Sequence, residues 1–269
     1  MRELVKSSKH VNYNRVSTSN YSKFETFWVH LNSVLEIIVK QYARSKKQRV
    51  SCNLCDWSGS NFVNFYTGYG HVYRNAVCPR CYSHPRHRSY AISIKDTLTR
   101  FTCSEIKVLH FSPEAQITEA LCADARVNYL SVDIDHRKAM RKEDIRKLSF
   151  KDNSFDFIVC MHVFEHIDED KQAMREIHRV LKPSGVALLD VPIDSTRADT
   201  YEDSSVITPE ARTQEFLQWD HLRLYGRNYP DVLAAEGFRV EIKDVIKSLG
   251  RDFVEAHGLE ASSNYFGFK

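Results

Sequence analysis

The chain has 269 residues, of which 42% are hydrophobic and 27% charged, with a formal net charge of +3. That is room for one α/β domain of ordinary size, a small appendage and a true apolar core. No run is long enough to span a bilayer, the N-terminus lacks the apolar core of a signal peptide, and seven cysteines suit a disulfide framework poorly, so a soluble cytoplasmic protein is expected, with no membrane partner.

The charge is uneven. Residues 1–50 hold ten Lys or Arg against three Glu, a local charge of +7, which leaves −4 for the rest. Residues 1–20 are rich in Ser and Asn and are expected to be poorly ordered. From Tyr21 to about Lys46, Phe24, Phe27, Trp28, Leu31, Val34, Leu35 and Ile38 recur at helical spacing and predict an amphipathic helix. Packing against the main domain is its plainest role. A homodimer contact through this helix is a second, and a nucleic-acid arm using the basic tail ARSKKQR a third. Residues 1–50 are therefore read as a basic helical extension.

Residues 51–88 are read as a zinc ribbon. Cys52 and Cys55 are separated by two residues, as are Cys78 and Cys81, with 22 residues between the pairs. Two-residue spacing lets both thiolates of a knuckle reach one tetrahedral ion, and two knuckles complete its shell. A filled four-cysteine shell leaves no open position, so the expected Zn2+ is structural. Cys103, Cys122 and Cys160 are left as free thiols. Arg86, His87 and Arg88 follow at the start of a helix expected to run to about Thr99. They form either a solvated basic patch or an anion-facing cluster.

Residues 89–269 are read as the main domain. KVLHFSPE (107–114) has strand length and then turns. A helix beginning near Pro113 would have Ser112 as a cap and Glu114 in its first turn. Three apolar runs follow, Asn128–Val132, Phe155–Met161 and Val186–Val191, the last two separated by an amphipathic helix over Lys171–Leu181. Such alternation predicts a parallel sheet covered by helices, with ligands at the carboxyl ends of its strands. Asp133, Asp135 and Asp144 fall there. LKPSG is expected to close the helix and turn into the next strand. Residues 191–230 are long, polar and irregular, as functional loops are. Asp220, His221, Arg223 and Tyr225 crowd its end, and in an extended stretch His221, Arg223 and Tyr225 would share a face. YPDVLAAEGF predicts a helix, and RVEIKDV and NYFGFK predict strands.

From about residue 105 onward the chain resembles the class I S-adenosylmethionine-dependent methyltransferases. The resemblance rests on LSFKDNSFDFIVCMHVFEHI and MREIHRVLKPSGVALLDVPI, and on a subgroup with an N-terminal zinc ribbon, HFSPE in place of a glycine-rich first motif, and a DH-x-R-x-YG segment. It implies a Rossmann-like α/β fold, a seven-stranded sheet whose last strand runs antiparallel. It implies S-adenosylmethionine as cofactor. Phe111, Ser112 and Glu114 would lie in the first motif. Asp133 would take the ribose hydroxyls with Ile134 beside it, and Asp144 the adenine amino group with Ile145 beside the base. Cys160, Met161 and His162 would line the methionine moiety, whose carboxylate would fall to Arg88.

For the acceptor side, His221, Asp220 and His166 are the candidates for proton transfer, with Arg223 and Tyr225 holding the acceptor. The strand-end CMHVFE lacks the Asn/Asp-Pro-Pro-aromatic motif of many amino-methylating enzymes, which favours O-methylation of a small polar molecule such as a sugar or glycan precursor. Two rival readings stand beside it. One is a nucleic-acid or protein methyltransferase that docks its substrate through the ribbon. The other is a non-catalytic module that binds the cofactor or nothing.

Overall fold

The structure is a computed structural model that describes residues 49–66, 72–244, 247, 249–259 and 263–269. The expected N-terminal helix, and any dimer contact through it, lies outside the described residues.

Four short strands begin the described chain: β1 (Val50–Ser51), β2 (Ser58–Gly59), β3 (Val63–Tyr66) and β4 (Val72–Val77), paired β1 with β2 and β3 with β4. Gly59 has no room for a side chain, because an added Cβ would lie 2.4 Å from the Trp57 ring. Helix α1 (Pro85–Leu98) follows, with Pro85 in its first turn, where a missing N–H costs nothing. The boundary expected at residue 88 falls inside this helix.

The main sheet then forms from β5 (Ile106–Phe111), β6 (Val127–Asp133), β7 (Arg141–Lys142), β8 (Phe155–Met161), β9 (Leu181–Asp190), β12 (Arg239–Asp244) and β13 (Ser263–Phe268). Its order is β12-β13-β9-β8-β5-β6-β7, and only β13 runs antiparallel to both of its neighbours. This is the seven-stranded Rossmann-like sheet expected above. The helices are α2 (Ala115–Cys122), α3 (Asp170–Val180), α4 (Pro209–Phe216), α5 (Tyr229–Ala235) and α6 (Arg251–His257).

Period-two alternation sorts the core into two layers. From β8, Phe157, Val159 and Met161 pack with Tyr90 and Ile94 of α1 and Ile117 of α2. On the opposite face Ile158 and Cys160 pack with Met174 and Ile177 of α3 and Leu233 of α5. All seven residues of β8 are buried, which is why Phe155–Met161 is apolar apart from Asp156, whose charge is met by Lys182. No helix among the described residues is long and apolar enough to cross a membrane.

Two local expectations are corrected. LKPSG does not close a helix as a separate turn. Helix α3 stops at Val180, and Leu181 already pairs with Phe155, while Val186 pairs with Phe157. Residues 182–185 bulge out between those rungs, and Lys182 uses the excursion to reach both oxygens of Asp156 at 2.8 Å. Ser112 does not cap a helix either. Helix α2 starts at Ala115 behind Glu114, with no side-chain cap, because the Ser112 hydroxyl is directed to β6 instead.

Candidate functional site

The four ribbon cysteines converge. Their sulfurs lie within 4.8 Å of one another, with Cys52–Cys81 and Cys55–Cys78 at 3.6 Å. Thiolates around one ion at a Zn–S distance near 2.3 Å sit roughly 3.8 Å apart. The two knuckles are also conformational copies. The N–H of Asp56 donates to the Cys52 carbonyl, and that of Tyr82 to the Cys78 carbonyl. The N–H of Cys52 and of Cys78 each donate to the carbonyl five residues ahead, on Trp57 and Ser83. Asp56 and Tyr82 both take the left-handed conformation, φ 57° and 58°. The donor set and the repeated backbone fit a tetrahedral metal.

At the carboxyl ends of β5 and β6, Ser112 and Asp133 meet. Ser112 has φ +47°, a conformation that glycine takes at no cost. This resolves how a first motif without glycine turns: a serine holds the strained geometry, and its hydroxyl donates to Asp133 Oδ2 at 2.8 Å. Asp133 Oδ1 accepts from the N–H of Asp135 at 2.8 Å. Asp135 itself turns outward to an exposed pair with Arg137 at 2.7 Å. Ile134, beside Asp133, is 61% exposed, an apolar surface next to a fixed carboxylate. That pairing fits a nucleoside, whose ribose is polar and whose base is flat and apolar.

Other expected cofactor residues are placed differently. Phe111, Cys160 and Met161 are buried in the core, since their strand positions point into the helical layers, and Ile145, in the turn after β7, is buried there too. Asp144 is held by Arg146 through the backbone N–H and the guanidinium, with Nη2 at 2.8 Å. Hydrogen bonds from Arg146 lower its pKa.

Arg88 is not at the crevice. It is fully buried and donates to the carbonyls of Ser83, Ala76, His257 and Gly258 at 2.6–2.9 Å, with the Phe62 ring 4.1 Å away. Its charge joins the ribbon to the C-terminal end of α6. Arg86, two residues earlier and so on another helix face, meets Glu114 at 2.6 Å, and His87 reaches the same oxygen at 3.0 Å. Burial would raise the Glu114 pKa, but His87 and Arg86 outweigh it and hold the carboxyl well below its usual range.

A line of polar groups extends from the end of β8. His162, also left-handed at φ +55°, has Nε2 3.3 Å from the Tyr90 hydroxyl and Nδ1 3.5 Å from Glu165 Oε1. Glu165 and His166 belong to a 3-10 turn, Phe164–His166. His166 Nδ1 lies 3.3 Å from Asp220 Oδ2, and its ring stands edge-on to His221 at 4.8 Å. His221 is buried, and Nδ1 faces the Phe216 carbonyl at 3.0 Å. Burial is the main cause of its lowered pKa. Sequence reasoning missed Glu165, Tyr90 and Asp190. Asp190, at the end of β9, accepts from Asn264 and from the N–H of Tyr265, both at 2.7 Å. Burial raises its pKa to about 6 against those bonds. The signal available in the sequence was a carboxylate closing two of the three apolar runs, Asp190 after Val186–Leu189 as Asp133 after Leu130–Val132.

The late segment is ordered. It carries β10 (Tyr201–Glu202), α4 and β11 (Arg223–Leu224), with β10 and β11 paired antiparallel. His221, Arg223 and Tyr225 do turn inward together, but Arg223 and Tyr225 face the protein interior and not a cavity. Arg223 donates to the carbonyls of Phe164, Ile167 and Asp168 and to Glu202. Tyr225 donates to Asp170 at 2.6 Å. Both are 1% exposed and act as anchors, which corrects their expected acceptor role.

Comparison with known proteins gives a family match to part of the chain. Residues 102–189 match a family model described as "Methyltransferase domain". The chain is 34% identical over 88 residues to the uncharacterized methyltransferase YcgJ of Bacillus subtilis, covering 30% of this chain and 34% of that protein. It is 36% identical over 74 residues to a probable S-adenosylmethionine-dependent methyltransferase of Mycolicibacterium smegmatis, covering 28% of this chain and 26% of that one. The chain thus spans about a third or less of the length of these curated relatives. Among solved structures it is similar to the crystal structure of YcgJ from Bacillus subtilis, with 18% identity and a TM-score of 0.46, over 68% of this chain and 98% of that chain.

Proposed function

We propose that the chain is a class I S-adenosylmethionine-dependent methyltransferase that methylates a hydroxyl of a small polar acceptor, a sugar or glycan precursor being the type we favour; the match of residues 102–189 to a methyltransferase-domain model supports the reading. Bound S-adenosylmethionine supplies a methyl group on a sulfonium, ready for in-line displacement. The chain must hold the acceptor oxygen in line, exclude water and remove the hydroxyl proton. Asp133, fixed by Ser112 and the N–H of Asp135, is assigned the ribose hydroxyls, with Ile134 against the base. Asp144 keeps its adenine assignment through lone pairs left free by Arg146. Arg86 replaces Arg88 as the candidate for the methionine carboxylate. His162 lines the methionine end. We assign the ribbon a structural zinc on Cys52, Cys55, Cys78 and Cys81.

The observation that carries the acceptor reading is the His166–Asp220 pair with His221 and Glu165 against it. Four titratable groups from two distant segments meet beside the end of β8. Such a cluster can take a proton from a hydroxyl, and His166 is its more exposed histidine, with 28% of its side chain accessible. The test is transfer of labelled methyl to a panel of sugars, sugar nucleotides, RNA and protein, beside calorimetry with S-adenosylhomocysteine. We expect binding of S-adenosylhomocysteine and labelled sugar. His166→Ala should lower turnover by roughly 10²–10⁴-fold, the usual worth of general acid–base catalysis, at unchanged S-adenosylhomocysteine affinity. Absence of S-adenosylhomocysteine binding would favour the non-catalytic module.

One observation favours the docking reading. Phe65, Tyr73 and Tyr82 are exposed on the ribbon, together with Arg74 and Arg80. Exposed aromatic and basic groups on the ribbon suit single-stranded nucleic acid. Salt-sensitive RNA binding, with RNA labelled and sugars not, would support it.

A further inference from the structure

We propose that Glu165, His166 and His221 form a divalent-cation site, separate from the four-cysteine cluster. One ligand atom from each of the three lies within 4.8 Å of the others. Ligands of one ion at about 2.1 Å sit roughly 3–3.5 Å apart, so side-chain adjustments of about an ångström close the site.

Three independent features point to an ion. First, Glu165 is 2% exposed, and its Oε2 is buried without a hydrogen-bond partner among the described residues. Among the described residues its other oxygen has only His162, at 3.5 Å. A buried carboxylate oxygen left unpaired is costly unless a cation meets it. Arg223 makes no ion pair with Glu165: Nη1 and Nη2 bind the carbonyls of the turn and Glu202, and Nε, buried and without a hydrogen-bond partner among the described residues, lies 3.6 Å from Asp170 Oδ2.

Second, both histidines are oriented as metal ligands are. A ligating histidine usually donates its second ring N–H to a carbonyl or a carboxylate. Nδ1 of His221 faces the Phe216 carbonyl, and Nδ1 of His166 faces Asp220. In each ring this leaves the Nε2 lone pair available. Third, the ligands are held on a rigid base. The N–H of Leu222 donates to the Glu165 carbonyl at 2.8 Å, and Arg223 binds the carbonyls of the same turn. The late segment is thus locked to the 3-10 turn at the point where their side chains meet.

Two histidines and one carboxylate with open positions suit Zn2+, Mn2+, Co2+ or Fe2+. What the ion would do rests on the acceptor reading above, with His166 and His221 acting as ligands in place of a base: a cation with open positions orients and acidifies a bound hydroxyl, whose proton leaves to solvent. Glu165 and His166 are adjacent in an E-H pair, and His221 comes 55 residues later, so the set has no local spacing to reveal it.

The test uses the full chain with its cysteine cluster loaded with zinc and Mn2+ as the probe, because Mn2+ prefers nitrogen and oxygen to thiolate. Electron paramagnetic resonance should count one bound Mn2+ per chain, displaced by added Zn2+. Glu165→Gln should abolish binding, and Asp220→Asn should weaken it roughly 10–100-fold, as loss of an outer-shell partner does. If Glu165→Gln fails to fold, His166→Gln, at a partly exposed position, decides in its place. Absence of Mn2+, Co2+ and Zn2+ binding beyond the cysteine cluster overturns the proposal. So does binding that persists unchanged in the variants. Calorimetry with S-adenosylhomocysteine separates the two readings: cofactor without ion overturns this inference alone, and ion without cofactor overturns the methyltransferase reading alone.

Discussion

Asp220 pairs with His166 and not with His221, its neighbour in the chain. Its Oδ2 lies 3.3 Å from Nδ1 of His166, while Nδ1 of His221 is engaged by the Phe216 carbonyl at 3.0 Å. The two histidines therefore have separate orienting partners and converge only through their rings. The residues that hold this arrangement in place are distinct from those that would act in it, and the two kinds should separate by experiment.

Arg223 belongs to the first kind. Arg223→Ala strips hydrogen bonds from three carbonyls and leaves Asp170 and Glu202 without their cation. Breaking a buried charged network of this kind costs about 3–5 kcal/mol. Urea unfolding should show that loss, and Arg223→Lys should not restore it, because one ammonium cannot span the same acceptors. Native stability with lost turnover in Arg223→Ala would return the residue to the acceptor site.

The two acidic residues at the end of β6 should differ. Asp133→Ala should weaken S-adenosylhomocysteine binding by about 1.5–3 kcal/mol, the range for hydrogen bonds to a charged group. Asp135→Ala should change it little, since that carboxylate is turned outward to Arg137. Titration calorimetry on both variants decides. The reverse order would mean that the nucleoside lies on the outer side of the loop.

Cys78→Ser should remove the metal and unfold the ribbon, because binding energy in a four-cysteine site is folding energy. Elemental analysis of protein purified without chelator should find one zinc per chain at the cysteine cluster, and none there in the variant. The N-terminus of α1 should loosen with it, since Arg88 links Ser83 and Ala76 to residues 257–258.

Acid should destabilise the fold through His110. The residue is 1% exposed, with Nδ1 3.0 Å from the Tyr129 hydroxyl, and burial lowers its pKa to about 4, opposed by Glu114. Its unfolded value is about 6.5. The unfolded chain binds the proton more readily, so this contribution is complete above about pH 6.5 and is lost as the pH falls toward 4. The linked loss is on the order of 3 kcal/mol. Asp190, raised to about 6, opposes it over part of that window, because its carboxyl is protonated more readily in the folded state. The difference between wild type and His110→Gln in urea titrations at pH 7 and pH 4.5 isolates the His110 share. An equal acid response in both proteins would show that His110 does not carry it.

The sequence alone determined those features whose cause is local. Short, mainly apolar runs located β6 and β8 to within a residue, and the doubled C-x-x-C identified the sulfur cluster. Asp133 was legible because it ends a strand whose register follows from its own residues. Tertiary structure decided everything that depends on which side chains meet across the fold. Helix phase places Arg86, not Arg88, beside Glu114. The depth of the helical layers takes Cys160 and Ile145 into the core. A left-handed serine does the work expected of a glycine, which no composition rule reports. The pairing of Asp220 with His166 and the meeting of Glu165 with His221 join segments more than fifty residues apart, and such contacts are set by sheet order and loop packing, to which local spacing is blind.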